Sequence, residues 1–279
     1  MKTLKQILKK SLNSLGIHFK RYDPTDPFNV PKEWVEEGVK AAHPERIVIG
    51  GGDRNYGPRW HNIEFVTPGY AEKYKSLPAN TDIAHDLTAN KPLSIDSETI
   101  EAAYTSHVIE HLQDEHVAYV FADTYRVLKP GGVFRITCPD IDLYIRAFLD
   151  KDLSFFHYRD HYHYVDLGIN ESVAGMFLDV FATPIAQNAR YEEIADSFKT
   201  KGIIPTLEYY RSKVVYDGKQ SHFHINWFNV EKLKTMLKKA GFSNFRVSGM
   251  GQSHYSDMRN LSKFDTQDFK ISLFVECVK

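Results

Sequence analysis

One stretch, Ile100 to Asp140 (IEAAYTSHVIEHLQDEHVAYVFADTYRVLKPGGVFRITCPD), constrains this chain more than any other. Ala102–Thr105 is a short β-leaning run that stops at Ser106-His107. Asp114 predicts the cap of a helix whose apolar residues Val117, Val120, Phe121 and Leu128 recur at helical spacing. Pro130-Gly131-Gly132 predicts its stop and a turn, and Val133–Thr137 a second strand ended by Pro139. Strand, covering helix and parallel strand make a right-handed crossover unit of an open α/β sheet. Such sheets bind ligands just beyond the carboxyl ends of their strands. Those ends carry Ser106, His107, Cys138 and Asp140.

Composition narrows the class. The chain has 279 residues, 42% hydrophobic and 25% charged, enough for one large globular domain with an elaboration. A formal net charge of -1 supplies no basic field, so nucleic acid is not an expected partner. Two cysteines, Cys138 and Cys277, exclude a disulfide scaffold and fit a reducing, cytoplasmic setting. No apolar run is long enough to span a bilayer; the best, Val173–Ala186, is short and interrupted by Asp179 and Pro184.

The N-terminal arm and linker occupy 1–43. Leu4, Ile7, Leu8, Leu12 and Leu15 share one helical face opposite Lys2, Lys5, Lys9 and Lys10, and the lysines break up any signal-peptide core. Such a helix packs on its own domain or on a second copy in a homo-oligomer; the alternative is peripheral contact with an anionic membrane. Glu33–Ala42 is a short helix candidate. Arg46–Gly50 then reads as a buried strand followed by Gly50-Gly51-Gly52, a turn whose backbone N–H groups can approach a ligand closely, or simply a tight loop. Trp60–Glu64 is a strand ending in an acid.

After the central stretch, an aromatic-rich insert (151–222) carries FFHYRDHYHYVD. His157, His161 and His163 with Asp160 and Asp166 secure no ligand geometry, so no metal is expected, and side-chain packing or a wall around a polar acceptor is favoured. Val173–Ala186 and Tyr191–Phe198 read as helices, and an insert at this place commonly acts as a lid. Asn229–Gly241 is the closing helix, with Val230, Leu233, Met236 and Leu237 as its stripe; strands Phe242–Ser248 and Ile271–Val278 follow.

YTSHVIEHL followed by YRVLKPGGVFRITCPD, and later HINWFNVEKLKTMLKKAGF, resembles the class I S-adenosylmethionine-dependent methyltransferases, in particular a small bacterial branch associated with surface-glycan synthesis. The resemblance covers about Ile47–Ile145 and resumes at His224. It implies a Rossmann-like, mostly parallel sheet with an antiparallel C-terminal hairpin, helices on both faces and a helical insert after the fifth strand. The core would be 44–150 and 223–279, with 151–222 covering the substrate. It implies S-adenosylmethionine as cofactor, with Gly50, Gly51 and Gly52 around its methionine part, Glu64 on the ribose hydroxyls, Asp86 on the adenine amino group and Leu87 against the ring. Ser106 and His107 would line the same cleft. Val48 stands where the family often has an acid, and Glu101 where it often has Asp. The expected reaction is O-methylation of a sugar or glycan-related acceptor. His111, four residues after His107, and His224, directly after the insert, are the candidate bases, because an imidazole can take a hydroxyl proton near neutral pH. The alternatives are a Rossmann enzyme using NAD or a nucleotide sugar, and a non-catalytic member of a glycan assembly complex.

Overall fold

The computed structural model describes residues 43–52, 54–65, 80–157, 168–169, 172–215 and 222–279. Both predicted N-terminal helices and most of the 157–163 histidine cluster lie outside the described residues. Seven strands form one sheet: β1 (Arg46–Ile49), β2 (Trp60–Phe65), β3 (Ile83–His85), β4 (Ile100–Ser106), β5 (Leu128–Pro139), β6 (Ser243–Ser248) and β7 (Ser272–Val278). Their order is β3-β2-β1-β4-β5-β7-β6. The first five pair in parallel, and β7 runs antiparallel to both β5 and β6. This is the mostly parallel Rossmann-like sheet with a closing antiparallel hairpin that the sequence predicts.

The pleat explains which residues belong to which core, since successive side chains point to opposite faces. Ile47 and Ile49, Ala103, Phe134 and Ile136, and Val275 and Cys277 fall in one buried cluster with Val117, Phe121, Leu233 and Leu237 of the covering helices α1 (Asp114–Val127) and α7 (Val230–Lys239). Val48, Ala102, Tyr104 and Val133 point the other way and pack with Tyr56, Trp60, Met258 and Phe264. On that second face Arg135 is fully buried, its guanidinium donating to both carboxylate oxygens of Asp265 at 2.6–3.1 Å and to the Gly249 carbonyl.

Local chemistry sets the ends of the elements. Asn229 caps α7, its side-chain oxygen accepting from Lys232 N at 3.0 Å. Asp114 does not cap α1: it is the first helical residue, Gln113 is the cap position, and the Asp114 carboxylate is turned to Asn226 and Lys232 instead. Nor does Pro130-Gly131-Gly132 stop α1. The helix ends at Val127, because Leu128 already pairs with Ile100 of β4, and β5 runs through the Pro-Gly-Gly segment.

Beyond β5, Asp140 caps α2 (Ile141–Leu149) by accepting from Asp142 N. The insert adds α3 (Leu153–Phe156), α4 (Val173–Ala182), α5 (Tyr191–Lys201) and α6 (Ile203–Arg211). The predicted helix Val173–Ala186 divides at Ala182, and a 3-10 turn, Thr183–Asn188 with Pro184 in its first turn, follows. With α2 these helices share a cluster built on Phe148, Phe156, Phe177, Phe181 and Trp227. Among the described residues no helix is long and apolar enough to cross a membrane.

Candidate active site

The carboxyl ends of β1, β2 and β4 converge on the Gly50-Gly51-Gly52 turn. Gly50 and Gly52 have φ of +70° and +60°, the left-handed region that favours glycine. The turn is pinned from behind. Gly51 N donates to Asn62 Oδ1 and Gly52 N to Glu64 Oε2, each at 2.9 Å, while Asn62 Nδ2 donates back to the Gly52 carbonyl at 2.8 Å. A Cβ on Gly50 would lie 2.3 Å from a Val108 methyl, and one on Gly51 2.5 Å from Asn62 Oδ1; one on Gly52 would meet nothing within 4 Å. The turn is thus packed tightly against the sheet and open outward at Gly52. Glu64 is buried at the end of β2.

The segment after β4 leads from this turn toward the insert. Val108 backs Gly50, and the 3-10 turn Ile109–His111 follows. The sequence spacing predicts that His107 and His111 share a helix face, and the structure separates them. His107 sits at φ +54° and the regular helix begins only at Asp114, so the four-residue spacing is not helical. The His107 ring turns inward, Nε2 2.7 Å from Ser272 Oγ and Nδ1 3.0 Å from Glu110 Oε1. Ser106 is buried and accepts from Thr137 Oγ1. His111, half-buried, instead faces His224, with ring centroids 4.8 Å apart. Its Nδ1 lies 3.0 Å from the Phe223 carbonyl, which can only accept, so Nδ1 carries the proton and Nε2 is the basic nitrogen of the neutral ring.

His224 is brought there by a backbone strap. Ile225 N and Asn226 N both donate to the Glu110 carbonyl, at 2.8 and 3.1 Å, and Thr183 N donates to the His224 carbonyl. Asn226, wholly buried, donates from Nδ2 to the Leu112 carbonyl and to Asp114, while its Oδ1 accepts from Trp227 N and Lys232 Nζ. Between the two imidazoles and His107 lies Glu110, fully enclosed. Burial alone would raise its carboxyl pKa, but the imidazole of His107 against it and that of His111 nearby hold it below the usual range. At the next strand end, burial above all pushes the Cys138 thiol well up, which makes it a poor nucleophile at neutral pH.

Residues 70–136 match the family model of a methyltransferase domain. No curated protein matches. Among solved structures, an S-adenosylmethionine-dependent methyltransferase of Thermotoga maritima aligns at 15% identity over 86% of this chain and 84% of its own, TM-score 0.39. One from Mesorhizobium loti aligns at 11% identity over 91% and 98%, TM-score 0.39. Phosphoethanolamine N-methyltransferase 2 of Haemonchus contortus, in complex with S-adenosyl-L-methionine, aligns at 14% identity over 87% and 50%, TM-score 0.36. The domain match and the strand order support an S-adenosylmethionine-dependent methyltransferase, and S-adenosylmethionine as its cofactor.

The residues present fit that group in donor chemistry. The outward side of Gly52 offers close backbone approach, and Glu64 keeps a buried carboxylate at the strand end for ribose hydroxyls. Asp86 ends β3 in an Asx turn, its Oδ1 accepting from Thr88 N and Oγ1 at 2.8 and 2.6 Å, and Leu87 is buried beside Leu93. Three participants escape the sequence reading: Glu110, Asn226 and Asn62. The phrases EHL and HINWF contain two of them, but only the fold shows that these phrases face each other.

Proposed function

We propose that this chain methylates an oxygen nucleophile, with a sugar or glycan-related acceptor as the substrate class that its sequence resemblance implies. The observation that supports the reading is the His111–His224 pair, its ring centroids 4.8 Å apart, with the segment of His224 tied by its backbone to Glu110 and to Thr183 of the insert. S-adenosylmethionine, when bound, supplies a sulfonium-activated methyl group. Gly50, Gly51, Gly52 and Glu64 would hold it, with Asp86 and Leu87 at its adenine and Ser106 and His107 supporting the same cleft. His111, its Nδ1 held by the Phe223 carbonyl, takes the acceptor proton on Nε2, and His224 holds the acceptor oxygen in line or shares that proton. The insert, residues 151–222, covers the acceptor and keeps water out.

The test is transfer of labelled methyl from S-adenosylmethionine to hydroxylated sugars and their nucleotide- or lipid-linked forms. His111→Ala and His224→Ala are expected to cut turnover about 100-fold while cofactor affinity stays within a few-fold, as for loss of a general base. Parent-like turnover in both variants would remove the pair from the reaction.

A further inference from the structure

The charge at Glu110 is not fully accounted for by the groups around it. Its carboxylate is 1% exposed. The His107 contact is at ion-pair distance, yet among the described residues neither oxygen receives a well-directed hydrogen bond. An enclosed carboxylate in that condition is costly, and structures that keep one usually place a cation against it. Two imidazoles stand on the other side. One nitrogen each from His111 and His224 and one oxygen from Glu110 all lie within 4.8 Å of one another.

We propose that Glu110, His111 and His224 form a binding site for one divalent transition-metal ion. Two imidazoles and one carboxylate are the donor set of zinc and of similar borderline ions, and a soft or purely hard ion would suit it less. His111 has the outer contact that metal-bound histidines show: its Nδ1–H is held by a backbone carbonyl, so Nε2 would be the ligand nitrogen. The backbone of Glu110 is tied to Ile225 and Asn226, so the three ligands are already on one framework. With metal–ligand bonds of about 2.0–2.2 Å at tetrahedral angles, ligand atoms stand about 3.3–3.6 Å apart, so a cluster spanning up to 4.8 Å closes by on the order of 1 Å on binding. Three protein ligands would leave a position open for water or an acceptor.

The role of the ion rests on the proposed function, whereas its binding does not. With the ion bound, His111 Nε2 is a ligand and no longer the base; an acceptor hydroxyl at the open position, made more acidic by the ion, would give up its proton to solvent before the insert closes over it. Its oxygen would then bond to the methyl carbon as the carbon–sulfur bond breaks, with the electron pair left on sulfur.

The experiment uses the full chain after chelator treatment. Co2+ is titrated and followed by visible absorption, and Zn2+ by competition with a chromophoric chelator. One equivalent is expected with a low-coordinate cobalt spectrum, and binding weakened about 100-fold or more in His111→Ala, His224→Ala and Glu110→Gln. Because Glu110 is buried, its variant counts only if its melting curve stays cooperative; His111, half-buried, supplies the second test. His254→Ala, away from the cluster, is expected to bind as the parent does. No stoichiometric binding in the folded parent, or parent-like binding in the His111 and His224 variants, overturns the site. S-adenosylmethionine binding, measured in parallel by calorimetry, distinguishes the two claims. Cofactor without metal removes this site and leaves the methyltransferase reading, and metal without cofactor does the reverse.

Discussion

Asn226→Ala tests how the proposed catalytic pair His111 and His224 is assembled. The side chain is wholly buried and makes four hydrogen bonds of 2.8–3.0 Å: two donated to the Leu112 carbonyl and Asp114, two accepted from Trp227 N and Lys232 Nζ. Alanine leaves two backbone groups, the Leu112 carbonyl and the Trp227 N–H, without this partner. At about 1–3 kcal/mol for each buried group left unmade, the loss is about 2–6 kcal/mol. Asp114 and Lys232 add little, because their direct contact at 2.8 Å survives. Denaturant unfolding would show a lower midpoint at unchanged slope. Because the strap also presents His224 to His111, turnover is expected to fall further than the loss of folded protein explains, with S-adenosylmethionine affinity nearly kept. A stability change under about 1 kcal/mol, with parent turnover, would refute the view that Asn226 joins the two segments.

Asp265→Ala is expected to cost about 3–5 kcal/mol in denaturant unfolding, since it leaves the fully buried Arg135 guanidinium without its bidentate partner. Gly51→Ala is expected to lower the melting temperature as well as cofactor affinity, because the new Cβ would press on Asn62 Oδ1 at 2.5 Å and on the Tyr56 ring at 2.9 Å; an unchanged melting curve would count against that packing. Burial pushes the Asp114 carboxyl up, but Lys232, Asn226 and Arg211 outweigh it and hold its pKa below the usual value, so its contribution is complete above the ordinary carboxylate pKa and fades as pH falls below it. Lys232 shifts down because burial costs its ammonium more than pairing returns, so the acid limb belongs to Asp114: Asp114→Asn is expected to flatten stability against pH in the acid range, and an unaltered slope would contradict this.

Regular elements were legible because their residues repeat with a simple period. Ile47, Val48 and Ile49 announce a strand buried on both faces, and Val230, Leu233 and Leu237 a one-faced helix. One parallel crossover unit and a terminal pair of strands were legible from pattern; the mostly parallel sheet that joins them was implied by the family resemblance, and its strand order comes from the structure. What sequence spacing misjudged lies where tertiary contacts override local preference. Asp114 was drawn off its capping position by Lys232, β5 took in Pro130-Gly131-Gly132 because Leu128 pairs with Ile100, and His107 left the helical register through a left-handed φ. The link between Glu110 and Asn226, or between Arg135 and Asp265, joins residues more than 100 positions apart and has no local signature.

The most direct measurement is isothermal calorimetry of the parent and Glu64→Gln with S-adenosylmethionine and, separately, with NAD. One S-adenosylmethionine per chain is expected, with an affinity about 5- to 150-fold weaker in Glu64→Gln (the equivalent of about 1–3 kcal/mol for an impaired ribose contact), and no binding of NAD. Saturable NAD binding without S-adenosylmethionine binding, or S-adenosylmethionine affinity indifferent to Glu64, would contradict this.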